Sequence, residues 1–232
     1  VVFGHRQAMN SLAEDLLWLL LDDQSGQPLV DRISMSRVLA GAVLLEMTLT
    51  TPGSPMPPLR LATCGETGKP LCLIPTDTLT TTEDDPVSTT VADLMQGRAH
   101  TPKQAIERLQ RPVHRVLLHR LCADGRVIAM TSWLLCLIPL RSWPTLDHPR
   151  KAALRQTLRD TLLDARLPDP HTTALIVLLN AVNALPPQFP GRNPHTITRS
   201  ARQMTSGHYA WSIDAIHAAI HTSYTDSFTT FP

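Results

Sequence analysis

Between Arg98 and Arg126 the chain carries seven basic side chains: Arg98, Lys103, Arg108, Arg111, Arg115, Arg120 and Arg126. Only Glu107 and Asp124 oppose them. At helical spacing Arg108, Arg111, Arg115 and His119 share one face, and Ile106, Leu109, Val113, Val116 and Leu117 occupy the other. A row of guanidinium groups can hold an anion, and arginine does so with two parallel N–H donors. The plain reading of such a row is a solvated helix face. Two features favour the chemical reading. Pro112 suits the first position of a new helix, which would place Arg111 and His114 beside unpaired N–H groups. Lys151, Arg155 and Arg159 then recur at i, i+4 spacing on the next helix. Two basic helices flanking an apolar stretch would make a face for an anionic surface.

Other constellations are weaker. His217 and His221 stand four apart on a helix with Asp214 one turn earlier, a chelating spacing without a third ligand or an HExxH glutamate, so no metal is expected. "CGETGKPL" (64–71) holds G-x-x-G-K, but a phosphate-binding loop needs a longer spacing and a hydroxyl where Pro70 stands. "TSGHY" (205–209) puts a serine near a histidine, which alone carries little. No G-x-S-x-G elbow occurs, no carboxylate pair can be assigned to acid–base work, and no cofactor is implied.

The elements that must position these residues read as mainly α. "SLAEDLLWLLLDDQSG" starts on an S-x-x-E capping pattern and ends at a turn with Gly26. "SMSRVLAGAVLLEMTL" (34–49) is a second helix with small residues in its middle. "PPLRLATC" and "KPLCLIPT" form a hairpin around "GETG". Residues 76–90 read as an exposed acidic, threonine-rich loop. Residues 101–123 are helical with Pro112 interrupting. "VIAMTSWLLCLIPLRSW" (127–143) reads as two strands joined by a turn at Thr131-Ser132, with an apolar tip around Met130, Trp133 and Leu134. Helices follow at about 149–166, in "PDPHTTALIVLLNAVNAL" starting on its prolines, and at 195–205 and 209–222. The expected architecture is a single globular helical domain over 11–222 with two or three β-hairpins, one strongly hydrophobic. An N-terminal arm (1–10) and a polar tail (223–232) flank it.

With 232 residues and 43% hydrophobic content the chain can bury a real core, and its net charge of +1 confines any electrostatic function to local clusters. Its apolar runs are far shorter than the roughly 20 residues of a membrane-spanning helix. Cys64, Cys72, Cys122 and Cys136 show no CxxC pairing. They read as buried free thiols in a reducing cytoplasm, although Cys64 and Cys72 could face each other across the hairpin.

Four blocks in order, "LAEDLLWLLLDDQSGQ", "RVLAGAVLLEMTL", "RPVHRVLLHRLCADGRV" and "RSWPTLDHPRKAALRQTLRDTLLDARLPDPHTTALIVLLNAVNAL", resemble the Golgi phosphoprotein 3 family, in the manner of a bacterial member. The resemblance covers roughly residues 10–222. It implies a mostly helical domain with a hydrophobic hairpin, here Val127–Pro139, used in membrane contact and self-association. It also implies binding of phosphatidylinositol 4-phosphate by non-catalytic adaptors that hold protein clients. In the family's lipid pocket a tryptophan and three arginines act together. Aligned here, Asp31 stands at the tryptophan and Ala40 at the first arginine, while the later two fall on Arg111 and His114. Arg32 or Arg37 is placed to supply the lost charge.

The expected function is therefore that of a peripheral membrane protein on the inner face of the membrane. Arg111, His114, Arg115 and Arg37 would hold an anionic, phosphoinositide-like headgroup. Met130, Trp133 and Leu134 would touch the bilayer or a second copy. A winged-helix-like nucleic-acid module is the alternative, since a basic helix followed by "HRLCADGRVIAM" matches a helix and wing. Near-neutral charge and a greasy wing disfavour it. An enzyme assembled from scattered residues is a third reading that no motif supports.

Overall fold

The Ser11 hydroxyl accepts a hydrogen bond from the Glu14 amide, and this cap starts α1 (Leu12–Leu19). The computed structural model describes residues 11–49, 56–63, 71–76, 85–95, 97–134, 138–163, 169–204 and 209–228. After α1 come α2 (Arg32–Thr48), a hairpin of β1 (Leu59–Thr63) and β2 (Leu71–Pro75), α3 (Pro86–Met95) and α4 (Pro102–Ala123). A second hairpin of β3 (Met130–Leu134) and β4 (Ile138–Ser142) leads to α5 (His148–Leu163), α6 (Pro170–Ala181), a 3-10 turn (Pro186–Gln188), α7 (Pro194–Met204) and α8 (Ala210–Phe228). Both sheets are two-stranded and antiparallel, so the fold is mainly α, as expected.

Every residue of α1 is buried, Glu14 and Asp15 included because Arg120, Arg126 and His171 pair with them, and α6 is buried over all but its ends. Between them they carry the centre of the core. α2 packs on α1, α4 and α8. The small residues in its middle let α8 approach: a Cβ on Gly41 would lie 2.7 Å from the Ile216 side chain. Glu46, near the end of α2, accepts from the Leu12 amide at 3.1 Å and so helps cap α1 from another element.

The structure corrects several expectations. α4 does not break at Pro112; one helix runs from Pro102 to Ala123. An interior proline costs about 3 kcal/mol. Ile106, Leu109, Val113, Leu117 and Leu121 offset it by burying one continuous face. α3 begins at Pro86, inside the stretch expected to be loop, because the Asp85 carboxylate accepts from the Val87 and Ser88 amides. The second hairpin does not turn at Thr131-Ser132. β3 runs through both, pairing Thr131 with Arg141 and Ser132 with Leu140. Threonine favours strands, and pairing across to β4 carries the ladder through Ser132. Cys72 is disulfide-bonded rather than free, which removes the thiol argument for a reducing compartment. Cys122 is free and half-buried. The arm at 1–10, the turn at 64–70, most of the threonine-rich loop (77–84), Cys136 and residues 205–208 lie outside the described residues. So do the last four residues of the tail, while α8 itself continues to Phe228.

Lys151 and Arg155 do not join a basic surface. Lys151 is fully buried, and its Nζ donates to the Leu21 carbonyl at 2.6 Å and contacts Asp23 at 2.7 Å. Arg155 pairs with the same Asp23 through both of its terminal nitrogens. Burial alone would raise the Asp23 carboxyl, but hydrogen bonds from Arg155 and Lys151 overcome it and hold it at about 2. These two cations tie α5 to the α1–α2 turn. The same turn places Gly26 at φ 63°, and its carbonyl accepts from the Trp143 amide at 2.9 Å.

Candidate functional site

The buried stripe of α4 turns Arg108, Arg111, Arg115 and His119 outward, and all four are exposed. His114 lies at the edge of that stripe, half-buried, and its Nε2 has no hydrogen-bond partner among the described residues. Burial, and then the charge of Arg32, lower the His114 pKa from its ordinary value, so the imidazole is held neutral near Arg32. Arg32 is exposed at the first position of α2. The arrangement is thus an exposed row of guanidinium groups with a neutral imidazole and a second arginine at its side. Because Pro112 does not start a helix, the amides near Arg111 and His114 belong to the interior of α4. The side chains, not free backbone N–H groups, are what an anion would meet.

Arg37 stands apart from this set. It is 5% exposed; its Nε donates to Gln110 Oε1 at 3.1 Å and its Nη1 donates to the Ala219 carbonyl. It ties α2 to α4 and α8. Asp31, at the position of the family's tryptophan, caps α2 through the Ile33 and Ser34 amides at 2.9 and 3.0 Å. Ala40 is completely buried. Two more members of the basic run are also engaged: Arg120 pairs with Glu14 and Asp85, and Arg126 with Glu14, Asp15 and Asp124. Arg126 also lies over the Trp18 ring, 5.8 Å from its centroid.

Beyond the strand ladder that begins at Met130, the isolated bridge of Val127 with Thr145 extends the second hairpin toward the body of the protein. Ile128, Met130 and Leu146 are exposed along it, which leaves an apolar strip at the hairpin's base. Trp133 and Leu134 lie farther out, paired with Pro139 and Ile138. Met130 is therefore at the base of the hairpin rather than at its tip. The strip was only partly legible in sequence, because Leu146 is far along the chain from Ile128 and is brought beside it by pairing of residues 126–128 with 144–146.

A second polar assembly went unread in the sequence. Glu46, Asp85 and Arg120 line a pocket of about 170 Å³ with Ser11, Ser88 and an apolar wall of Val43, Met47, Pro58 and Val87. Beneath it His171 Nε2 meets the Asp15 carboxylate at 3.1 Å. Burial raises the Glu46 pKa to about 7, against the Leu12 amide and the charge of His171. Burial disfavours charge on His171, but its hydrogen bond and ion pair with Asp15 prevail and raise its pKa above 6.5. Both folded values lie above the unfolded ones. The stability each group adds is thus complete below its unfolded pKa, 4.5 for Glu46 and 6.5 for His171. It is lost as pH rises through the folded value. Urea midpoints are expected to fall between about pH 5 and pH 8, and Glu46→Gln is expected to flatten that fall. An unchanged slope in the variant would count against Glu46 as the titrating group.

His217, from the expected chelating pair, makes a hydrogen-bond contact with the Ala181 carbonyl at 2.9 Å, and the described residues hold no metal-ligand cluster. No helix among them is long and apolar enough to cross a membrane. A family model, Golgi phosphoprotein 3 (GPP34), matches residues 12–222. No curated protein matches the chain.

Proposed function

The chain belongs to the Golgi phosphoprotein 3 family, and from that premise we propose that it is a non-catalytic peripheral membrane protein that binds an anionic phospholipid headgroup. Arg111, His114 and Arg115 meet the headgroup, with Arg32 beside them in the place first considered for Arg37. The observation that carries this reading is the exposed row of Arg108, Arg111 and Arg115 on α4, with exposed Arg32 and half-buried His114 beside it. A phosphate monoester suits it, because it offers several acceptor oxygens to the arginine forks at once. The strip of Ile128, Met130 and Leu146 adds an apolar contact to the bilayer or to a second copy of the hairpin. Charge attracts, and the strip anchors. The reading places the protein on the inner face of the membrane, with a protein client as a further partner in the adaptor manner of its family.

Arg111→Glu removes one favourable charge and adds an unfavourable one, a change of roughly 2 kcal/mol near an anionic surface. Co-sedimentation with vesicles of phosphatidylcholine and phosphatidylinositol 4-phosphate is expected to weaken about 30-fold. Binding should also fall with added salt. Failure of the unaltered protein to bind any anionic vesicle at low salt overturns the reading. Salt-dependent retardation of random duplex DNA without vesicle binding would favour the winged-helix alternative instead.

A further inference from the structure

No Asp or Glu occurs between Asp169 and Asp214, and the arginines of that span are Arg192, Arg199 and Arg202. This segment therefore carries only positive charge, as a second basic stretch beside residues 98–126, and the chain outside it is acidic on balance. The fold gathers the three into a line. Ile197 and Ala201 are buried and seat α7, which turns His195, Arg199 and Arg202 outward; Arg192, just ahead of the helix, is exposed as well. None of the four is ion-paired among the described residues. Arg120, Arg126 and Arg155, by contrast, all have carboxylate partners. The line is also separate from the α4 row. α7 packs on α5, α6 and the 3-10 turn, whereas α4 packs on α1, α2, α3, α8 and β2.

We propose that the outer face of α7, with Arg192, Arg199 and Arg202, is a docking surface for an acidic segment of another protein. Charge complementarity identifies the occupant, since arginine forks pair with carboxylates through two parallel hydrogen bonds. The line is about 15 Å long, the span of a few turns of a partner helix with acids at i, i+3 and i+4 spacing. A bilayer fits less well, because among the described residues the exposed large apolar side chains all lie outside α7. Single-stranded nucleic acid fits less well too: Phe189 and Trp211 are buried, so the face lacks an exposed aromatic platform for bases. The surface is independent of the lipid reading and would stand without it.

The test is fluorescence anisotropy of a labelled poly-glutamate peptide at low salt, with phosphatidylserine vesicles and a single-stranded oligonucleotide as parallel probes. The unaltered protein is expected to bind the peptide. The triple variant R192E/R199E/R202E is expected to bind it roughly tenfold or more weakly, while Arg111→Glu binds it unchanged. Vesicle binding should show the reverse pattern, so loss of the lipid reading leaves the peptide result intact. Since all three positions are exposed, both variants should unfold at the temperature of the unaltered protein, and R199A/R202A repeats the test without charge reversal. Equal peptide binding by the triple variant overturns the proposal. So does a triple variant that loses vesicle or oligonucleotide binding but keeps the peptide.

Discussion

Gly26→Ala is expected to destabilise the protein by roughly 3 kcal/mol or more, from two costs that add at one atom. Gly26 holds φ at 63°, a conformation that a side chain opposes. A Cβ there would also fall inside the van der Waals envelope of the Trp143 and Pro144 backbone, which no rotamer change can move aside. The α1–α2 turn and the exit of β4 must then separate, and the hydrogen bond from the Trp143 amide to the Gly26 carbonyl goes with them. For a chain of this size the loss corresponds to a fall in Tm of about 6–12 °C. Gly125→Ala is the matched control. It has a similar φ of 67° but open space around it, so its cost is the conformational part alone, about 1 kcal/mol. If thermal melts show equal losses for the two variants, the steric part of the account is wrong.

Lys151→Met is expected to cost about 3 kcal/mol, although methionine fills much of the same space. The ammonium is enclosed completely and serves three acceptors: the Leu21 carbonyl, Asp23 and, at 3.4 Å, the Thr145 hydroxyl. Removing it leaves a buried carbonyl unsatisfied and Asp23 with only Arg155. Burial lowers the Lys151 pKa against the pull of Asp23, so the charge is held at a cost that only intact partners offset. Denaturant unfolding measures the loss. Asp23→Asn in the Lys151→Met background should then add less than it does alone, because the two groups act as a unit. Full additivity of the two substitutions would contradict that coupling.

What the sequence disclosed follows the range of the interactions involved. Ser11 and Glu14 are three residues apart, and Pro102, Pro170 and Pro194 each stand at a helix start, so these boundaries are local facts. The exposed row on α4 was legible for the same reason: helical spacing alone separates Arg108, Arg111 and Arg115 from Leu109 and Val113. The fates of Arg37 and Lys151 were not. Their partners, Ala219 and Leu21, stand 182 and 130 residues away, and an arginine at helical spacing looks the same whether it faces water or a distant carbonyl. Pro112 shows the limit of local rules from the other side, since a residue that ends helices in isolation is overruled by five buried neighbours along the same helix. Thr131 and Ser132 likewise read as polar punctuation, yet strand pairing beyond them carries the ladder on.

The complete burial of α1 also bears on the order in which the protein comes into being. α1 is made before α6, one of the helices that cover it, which begins only at Pro170. During synthesis its leucines and Trp18 leave the ribosome well before that cover exists. A portion ending before α6 leaves exposed the apolar side chains of α1 that α6 covers. Burial of α1 is therefore completed only once α6 has followed α2 and α4.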